Sequence, residues 1–186
     1  MKQTWMAGLI ALCAFSGAAQ AQNFELASAD IAADASIAPR FAYNGMGCTG
    51  QNLSPGLNWQ NPPPGTKSFA LMVHDPDAPT GGAGFWHWVV VNIPATATGL
   101  AQGVGAPDGK DLAAAGAQQI PTDFGTPGWG GPCPPMGDAP HRYNFTVYAL
   151  NVDKLNLPAN ATASFAGFML NSHAIAKASL TARYGR

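Results

Sequence analysis

Two tracts constrain what this chain can fold into: DPDAPTGGAGFWHWVVVNIP, Asp75 to Pro94, and GPCPPMGDAPHRYNFTVYAL, Gly131 to Leu150. Each holds acidic or imidazole groups among prolines and glycines and then runs into an apolar stretch. Proline fixes φ and removes an amide donor, so Asp75-Pro76-Asp77-Ala78-Pro79 cannot continue a strand and has to turn. The β-branched and aromatic run that follows reads as a buried strand. Together the tracts predict a stiff polar pocket on a β scaffold, with Asp75, Asp77, His87, His141 and Tyr143 as its chemistry-bearing groups.

The strands around them follow from period-2 alternation. Over Ser68 to His74, Phe69, Leu71 and Val73 share one face and Ala70, Met72 and His74 the other. His87 to Ile93 is a β-branched and aromatic run whose one polar residue after the histidine is Asn92, as in a strand buried on both faces. Tyr143 to Ala149 alternates again, with Tyr143, Phe145, Val147 and Ala149 on one side. Three such strands between Pro/Gly turns predict a mainly β fold, an antiparallel sandwich. Gly99 to Gly131 lacks periodicity and reads as a long functional or mobile loop. Near the end, Phe165, Phe168, Met169, Ile175, Ala176 and Leu180 recur at helical spacing before Gly185, predicting a C-terminal helix from about Thr162 to Arg183. His173 on it reads as a surface or capping residue.

The first residues are set aside from the fold. Lys2, an apolar run from Trp5 to Phe15 and Ala19-Gln20-Ala21 match a secretory signal peptide over residues 1–21, cleaved after Ala21. Cys13 follows the bulky Leu12 inside the apolar run, which argues against a lipoprotein. Residues 22–186 then form a single domain, exported to the periplasm or secreted, with no transmembrane segment after processing. Its 8 basic and 10 acidic residues give a net charge of −2, which is no electrostatic footprint for nucleic acid. Two cysteines survive processing, Cys48 and Cys133, and in an oxidising compartment they are expected to form one disulfide.

Within the pocket, His87 sits between Trp86 and Trp88 and needs a hydrogen-bond partner, for which Asp75 is the natural candidate. Asp77 reads as an Asx-turn residue. Alternation puts His141 and the Tyr143 hydroxyl on one face, both aimed at one small ligand. Arg142, on the other face, ties loops together through a carboxylate or carbonyls.

DPDAP followed by WHW-VV-NIP, then GP-CPP-G-HRY-F-VYAL, resembles the signature pair of the phosphatidylethanolamine-binding protein (PEBP) family. More closely it resembles the bacterial exported branch, the YbhB/YbcL type of Raf-kinase-inhibitor-like proteins. GCTGQNLSPGLNW, Gly47 to Trp59, and the C-terminal segment are also similar to that branch. The resemblance implies a PEBP-like β-sandwich with a few short helices. It implies an anion pocket on Asp75, His87, His141 and Tyr143, with Asp77, Pro79, Pro132 and Pro135 shaping its rim. GPCPP is longer than the GPP of eukaryotic members, so their ligand and partner specificity does not transfer.

The expected function is therefore a non-enzymatic binding protein for phosphate, phosphoethanolamine or a phospholipid head group, with no cofactor and no metal. A protein-binding regulator or inhibitor of a protease or kinase-type partner is the alternative, its contact surface on the Gly99 to Gly131 loop. A metal-dependent hydrolase is less well supported: Asp75, Asp77, His87 and His141 are ligand types without a metal-site spacing, and no Ser or Cys nucleophile pairs with the histidines. Two aspartates beside two neutral histidines carry −2, so protonating both histidines should tighten anion binding as pH falls from about 8 to about 6.

Overall fold

The alternating apolar stretches become the centre of the molecule in the computed structural model, which describes residues 23–186. The leader, its cleavage after Ala21 and Cys13 lie outside the described residues. In chain order the strands are β1 (Glu25–Ala27), β2 (Asn44–Gly45), β3 (Cys48–Thr49), β4 (Leu57–Gln60), β5 (Ser68–Asp75), β6 (Phe85–Pro94), β7 (Gly99–Leu100), β8 (Gln118–Gln119), β9 (His141–Leu150) and β10 (Ala174–Tyr184). The helices are α1 (Lys110–Ala114) and α2 (Ala163–His173). A five-stranded sheet runs β10-β9-β5-β6-β8, a three-stranded sheet β1-β4-β7, and β2-β3 is a small hairpin. All the ladder pairs are antiparallel.

The faces read from alternation are the faces that pack. Phe69, Leu71 and Val73 of β5 and Tyr143, Phe145, Val147 and Ala149 of β9 join Leu57, Trp59 and Leu100 of the small sheet in one core. Ala70 and Met72 face the other way, where Ala163, Ala166 and Leu170 of α2 and Leu155 cover them. The central strands β5 and β6 are thus buried on both sides. That double burial explains the β-branched and aromatic run in β6, since neither face meets water.

The predicted C-terminal helix is half right. Thr162 caps α2 by accepting from the Phe165 amide at 3.2 Å, but the helix ends at His173 and β10 occupies Ala174 to Tyr184. Here β9 offers a long unpaired ladder, and Ala176 to Tyr184 satisfy it residue by residue from Ala149 to His141. Pairing with that edge outweighs local helix preference. Ala178, Leu180 and Ala182 turn inward in strict alternation, while Phe168, predicted as core, is 67% exposed on α2. His173 is partly buried in the last helical turn, as expected.

The segment from Gly99 to Gly131 is also more ordered than its composition suggests. It contains β7, α1 and β8. Trp129 is buried with its indole donating to the Phe41 carbonyl at 3.1 Å. The segment also delivers Phe124 and Gly130 to the site described next.

Candidate functional site

The two tracts meet at the end of the large sheet and line one cleft of about 240 Å³. The first contributes Asp75, Ala78, Pro79, Thr80, Phe85 and His87, and the second Cys133, Pro134, Pro135 and His141. Met46, from the β2–β3 hairpin, and Phe124 complete the lining. Of the rim residues expected from sequence, Pro79 and Pro135 line the cleft. Pro132 and Asp77 do not. Pro132 lies behind the wall, where its carbonyl accepts from the Tyr43 amide at 3.1 Å. Met46, Thr80, Phe85, Phe124 and Pro134 were not anticipated as lining. Phe124 in particular lies in neither tract and carried no local signal.

Strand register decides how His87 reaches the site. Val73 pairs with Trp88 and His74 with Trp86, so His87 is the extra residue of a β-bulge. A bulge lets a side chain leave the alternation of its strand, and here it turns an imidazole toward the cleft. The ring is 3% exposed and its Nδ1 donates to the Gly130 carbonyl at 2.6 Å. Phe85, Phe124, Trp129 and Tyr143 surround it with ring centroids 5.1 to 6.5 Å away.

The expected Asp75–His87 pair is not formed. Asp75 Oδ2 instead accepts from His141 Nδ1 at 2.8 Å, and Asp75 Oδ1 accepts from the Asp77 amide at 2.8 Å. Because β5 pairs directly with β9, the end of β5 meets the start of β9, while the bulge commits His87 to Gly130. Asp75 therefore makes the Asx-type contact that was assigned to Asp77. Asp77 in turn binds the Arg142 guanidinium, with Nη2 at 2.6 Å and Nε at 2.9 Å, and accepts from the Arg142 amide at 2.8 Å. Those contacts hold its pKa down at about 2, the side-chain hydrogen bond from Arg142 being the main cause. Arg142 thus ties the two tracts together, as the alternation predicted.

Tyr143 corrects a second expectation. It packs in the core beneath the site and does not line the cleft, and its hydroxyl lies close to the Asp75 carboxylate without a hydrogen bond of good geometry among the described residues. Burial, followed by the nearby Asp75 carboxylate, pushes its pKa upward. The other nitrogen of His141, Nε2, lies 3.4 Å from Asp138 Oδ2.

The Gly130–Pro135 wall is held by close backbone approach. A Cβ on Gly131 would lie 2.1 Å from the Phe41 carbonyl oxygen, and one on Gly130 would lie 2.1 Å from the Phe124 ring. Asn52 fastens this segment, donating to the Trp129 carbonyl at 2.9 Å and accepting from the Gly131 amide at 2.7 Å. Its signal was present within GCTGQNLSP but pointed to no role. Arg186 adds a clasp, with Nε donating to the Pro134 carbonyl at 2.6 Å and Nη1 to the Gly47 carbonyl at 2.9 Å. Between the same two loops lies the predicted disulfide, Cys48–Cys133.

Burial also changes the expected electrostatics. Desolvation lowers the His87 pKa from 6.5 to about 4, so this ring does not gain a proton between pH 8 and pH 6. The sign for stability follows. The unfolded chain takes up a proton near pH 6.5 that the folded ring refuses until about pH 4. His87 should therefore leave stability intact above the higher value and withdraw about 3 kcal/mol as pH falls through the interval. Urea unfolding of the wild type and His87→Asn, which keeps a donor for Gly130 but does not titrate, tests this. Their difference in stability should change across the interval; a flat difference refutes the assignment.

Of Asp75, Asp77, His87 and His141, the first, third and fourth share the cleft and Asp77 does not. Asp77 faces Arg142, His87 Nδ1 faces Gly130, and no cluster of three or more His, Cys, Asp or Glu suited to a metal occurs among the described residues. The Cys133 sulfur is committed to its bridge.

The sequence family model described as "Phosphatidylethanolamine-binding protein" matches residues 27–185. The chain is 46% identical to UPF0098 protein YbcL of Escherichia coli over 184 residues, covering 99% of this chain and 98% of that one. It is 44% identical to E. coli UPF0098 protein YbhB over 160 residues, covering 86% and 99%. The crystal structure of E. coli YbcL, described as a new member of the mammalian PEBP family, superposes with a TM-score of 0.84 over 88% of this chain and 98% of that one. A putative PEBP homologue, CT736 of Chlamydia trachomatis, gives a TM-score of 0.72 at 31% identity, over 88% and 97%.

Proposed function

The chain belongs to the phosphatidylethanolamine-binding protein family, and from that premise we propose that its cleft binds a small acidic ligand, a phosphate or phosphate-bearing head group, without transforming it. The observation that carries this reading is the convergence of both signature tracts on one small, largely apolar cleft with a few polar groups at its floor. Asp75, His87 and His141 supply that floor. Their backbone and side-chain partners fix each of them before any ligand arrives, which lowers the cost of ordering on binding.

The lining supports binding without covalent chemistry. An acyl or phosphoryl transfer through a covalent intermediate needs an activated nucleophile beside a base. Thr80 donates its hydroxyl to the Gly84 carbonyl at 3.0 Å, and Cys133 is a disulfide sulfur. Neither is paired with His87 or His141.

We place the mature protein outside the cytoplasm. Support comes from the leader pattern at residues 1–21 and from the Cys48–Cys133 bridge, which persists in oxidising compartments.

Calorimetric titration with phosphoethanolamine and with inorganic phosphate, paired with nuclear magnetic resonance of the aromatic side chains, tests the reading. One ligand per chain is expected, with shifts confined to Phe85, Phe124 and His87. Absence of heat and of shifts at millimolar ligand refutes it.

A further inference from the structure

Resting on the anion-pocket reading, we propose that the cleft selects its acidic ligand in a protonated form: a monoanion that brings its own O–H donor, such as a phosphomonoester, over a phosphodiester or a dianion. His87 and Asp75 give the floor acceptors. The Gly130 carbonyl can only accept, so its 2.6 Å contact fixes the proton of His87 on Nδ1. In the neutral ring, Nε2 is then a lone-pair acceptor, and it is the nitrogen left for the cleft that His87 lines. Asp75 adds carboxylate oxygens that already serve His141 and the Asp77 amide.

The charged and titratable groups facing His87 come from every element packed on it. β5 brings Asp75 and His74, the segment before Gly130 brings Asp123, and β9 brings His141 and Tyr143. Neither lysine nor arginine lines the cleft. Arg142 is spent on Asp77 and Arg186 on Pro134 and Gly47. A dianion would set a lone pair against His87 Nε2 and its charge against Asp75, with no lysine or arginine in the lining to offset either. A ligand O–H satisfies Nε2 directly and removes one charge. The low proton affinity of the buried ring agrees, since it leaves Nε2 an acceptor at neutral pH.

Monomethyl and dimethyl phosphate separate the ideas on the unmodified protein. Dimethyl phosphate is a monoanion without a donor, so below the second ionisation of the monoester the two differ in the O–H and not in charge. Near pH 5 monomethyl phosphate should bind at least about tenfold tighter than dimethyl phosphate, and above its second pKa of about 6 it should weaken about tenfold per pH unit. Dimethyl phosphate should show little pH dependence. Equal affinities, or parallel tightening of both ligands as pH falls, would overturn the inference and leave the anion pocket standing, because the second result places the proton on the protein. Failure of both ligands to bind overturns the pocket reading as well. His87→Asn keeps the donor toward Gly130 and lacks the ring acceptor, so it should lose the preference for the monoester; retention of that preference counts against His87.

Discussion

Replacing Cys48 and Cys133 together with alanine is expected to lower the unfolding free energy by about 4–5 kcal/mol, because the bridge closes a long loop in the unfolded chain. The sequence separation is 85 residues, and loop-closure entropy grows with the logarithm of that length. For a domain of this size the loss corresponds to about 8–20 °C in melting temperature. Its local consequence is at the cleft. Cys133 lines the cleft directly, and Cys48 anchors the hairpin that carries Met46. Without the bridge, the outer wall keeps the Arg186 clasp and the Tyr43–Pro132 and Asn52–Gly131 hydrogen bonds, so it loosens without separating. Urea unfolding of the double variant measures the global term, and proteolysis at Met46 to Gly47 reads the local one. A loss below about 1 kcal/mol would mean that the unfolded chain gains little freedom, against the chain-entropy account.

The parts of the fold legible in the sequence are those where large apolar residues repeat without interruption. β5, β6 and β9 each contain the stretch read from alternation and extend it by one to three residues. β10 was misread for a physical reason. Its inward positions are mostly alanine, while Ile175 lies 41% exposed, so its strand period is faint and the preceding Phe165 and Phe168 impose a helical one. What makes it a strand is a partner far away in sequence, β9, and pairing of that kind leaves little local trace.

The site divides along the same line. That Asp75, His87 and His141 share a cleft was readable because each stands where a Pro/Gly turn meets a strand. Which group binds which was not. The partner of His87 depends on a bulge between Val73 and His74, and a single extra residue in a ladder inverts the facing of a side chain. Alternation did put Tyr143 on the His141 side correctly, yet it cannot distinguish a residue that opens on the cleft from one that lies beneath it. Phe124, Asn52 and Arg186 reach the site only through tertiary packing.

Asp75 is the group on which the rest of the floor depends, and Asp75→Ala should destabilise the protein by about 2–6 kcal/mol, because two buried donors each lose an acceptor at about 1–3 kcal/mol apiece. The side chain is 3% exposed and joins two donors from different tracts, His141 Nδ1 and the Asp77 amide, each at 2.8 Å. Alanine leaves both donors without this acceptor, with His141 only 4% exposed. Asp75→Asn preserves shape and one acceptor but turns an amide N–H toward the second donor, so a smaller loss of about 1–2 kcal/mol is expected. A double-mutant cycle between Asp75→Ala and His141→Ala isolates the pair from general damage to the core. Coupling of about 2 kcal/mol or more is expected, whereas a value below about 0.5 kcal/mol would show that His141 is held by its strand and not by the carboxylate. The order of the variants carries the argument further. Were Asp75→Asn as damaging as Asp75→Ala, the negative charge itself, and not the shape of the side chain, would be what the floor requires.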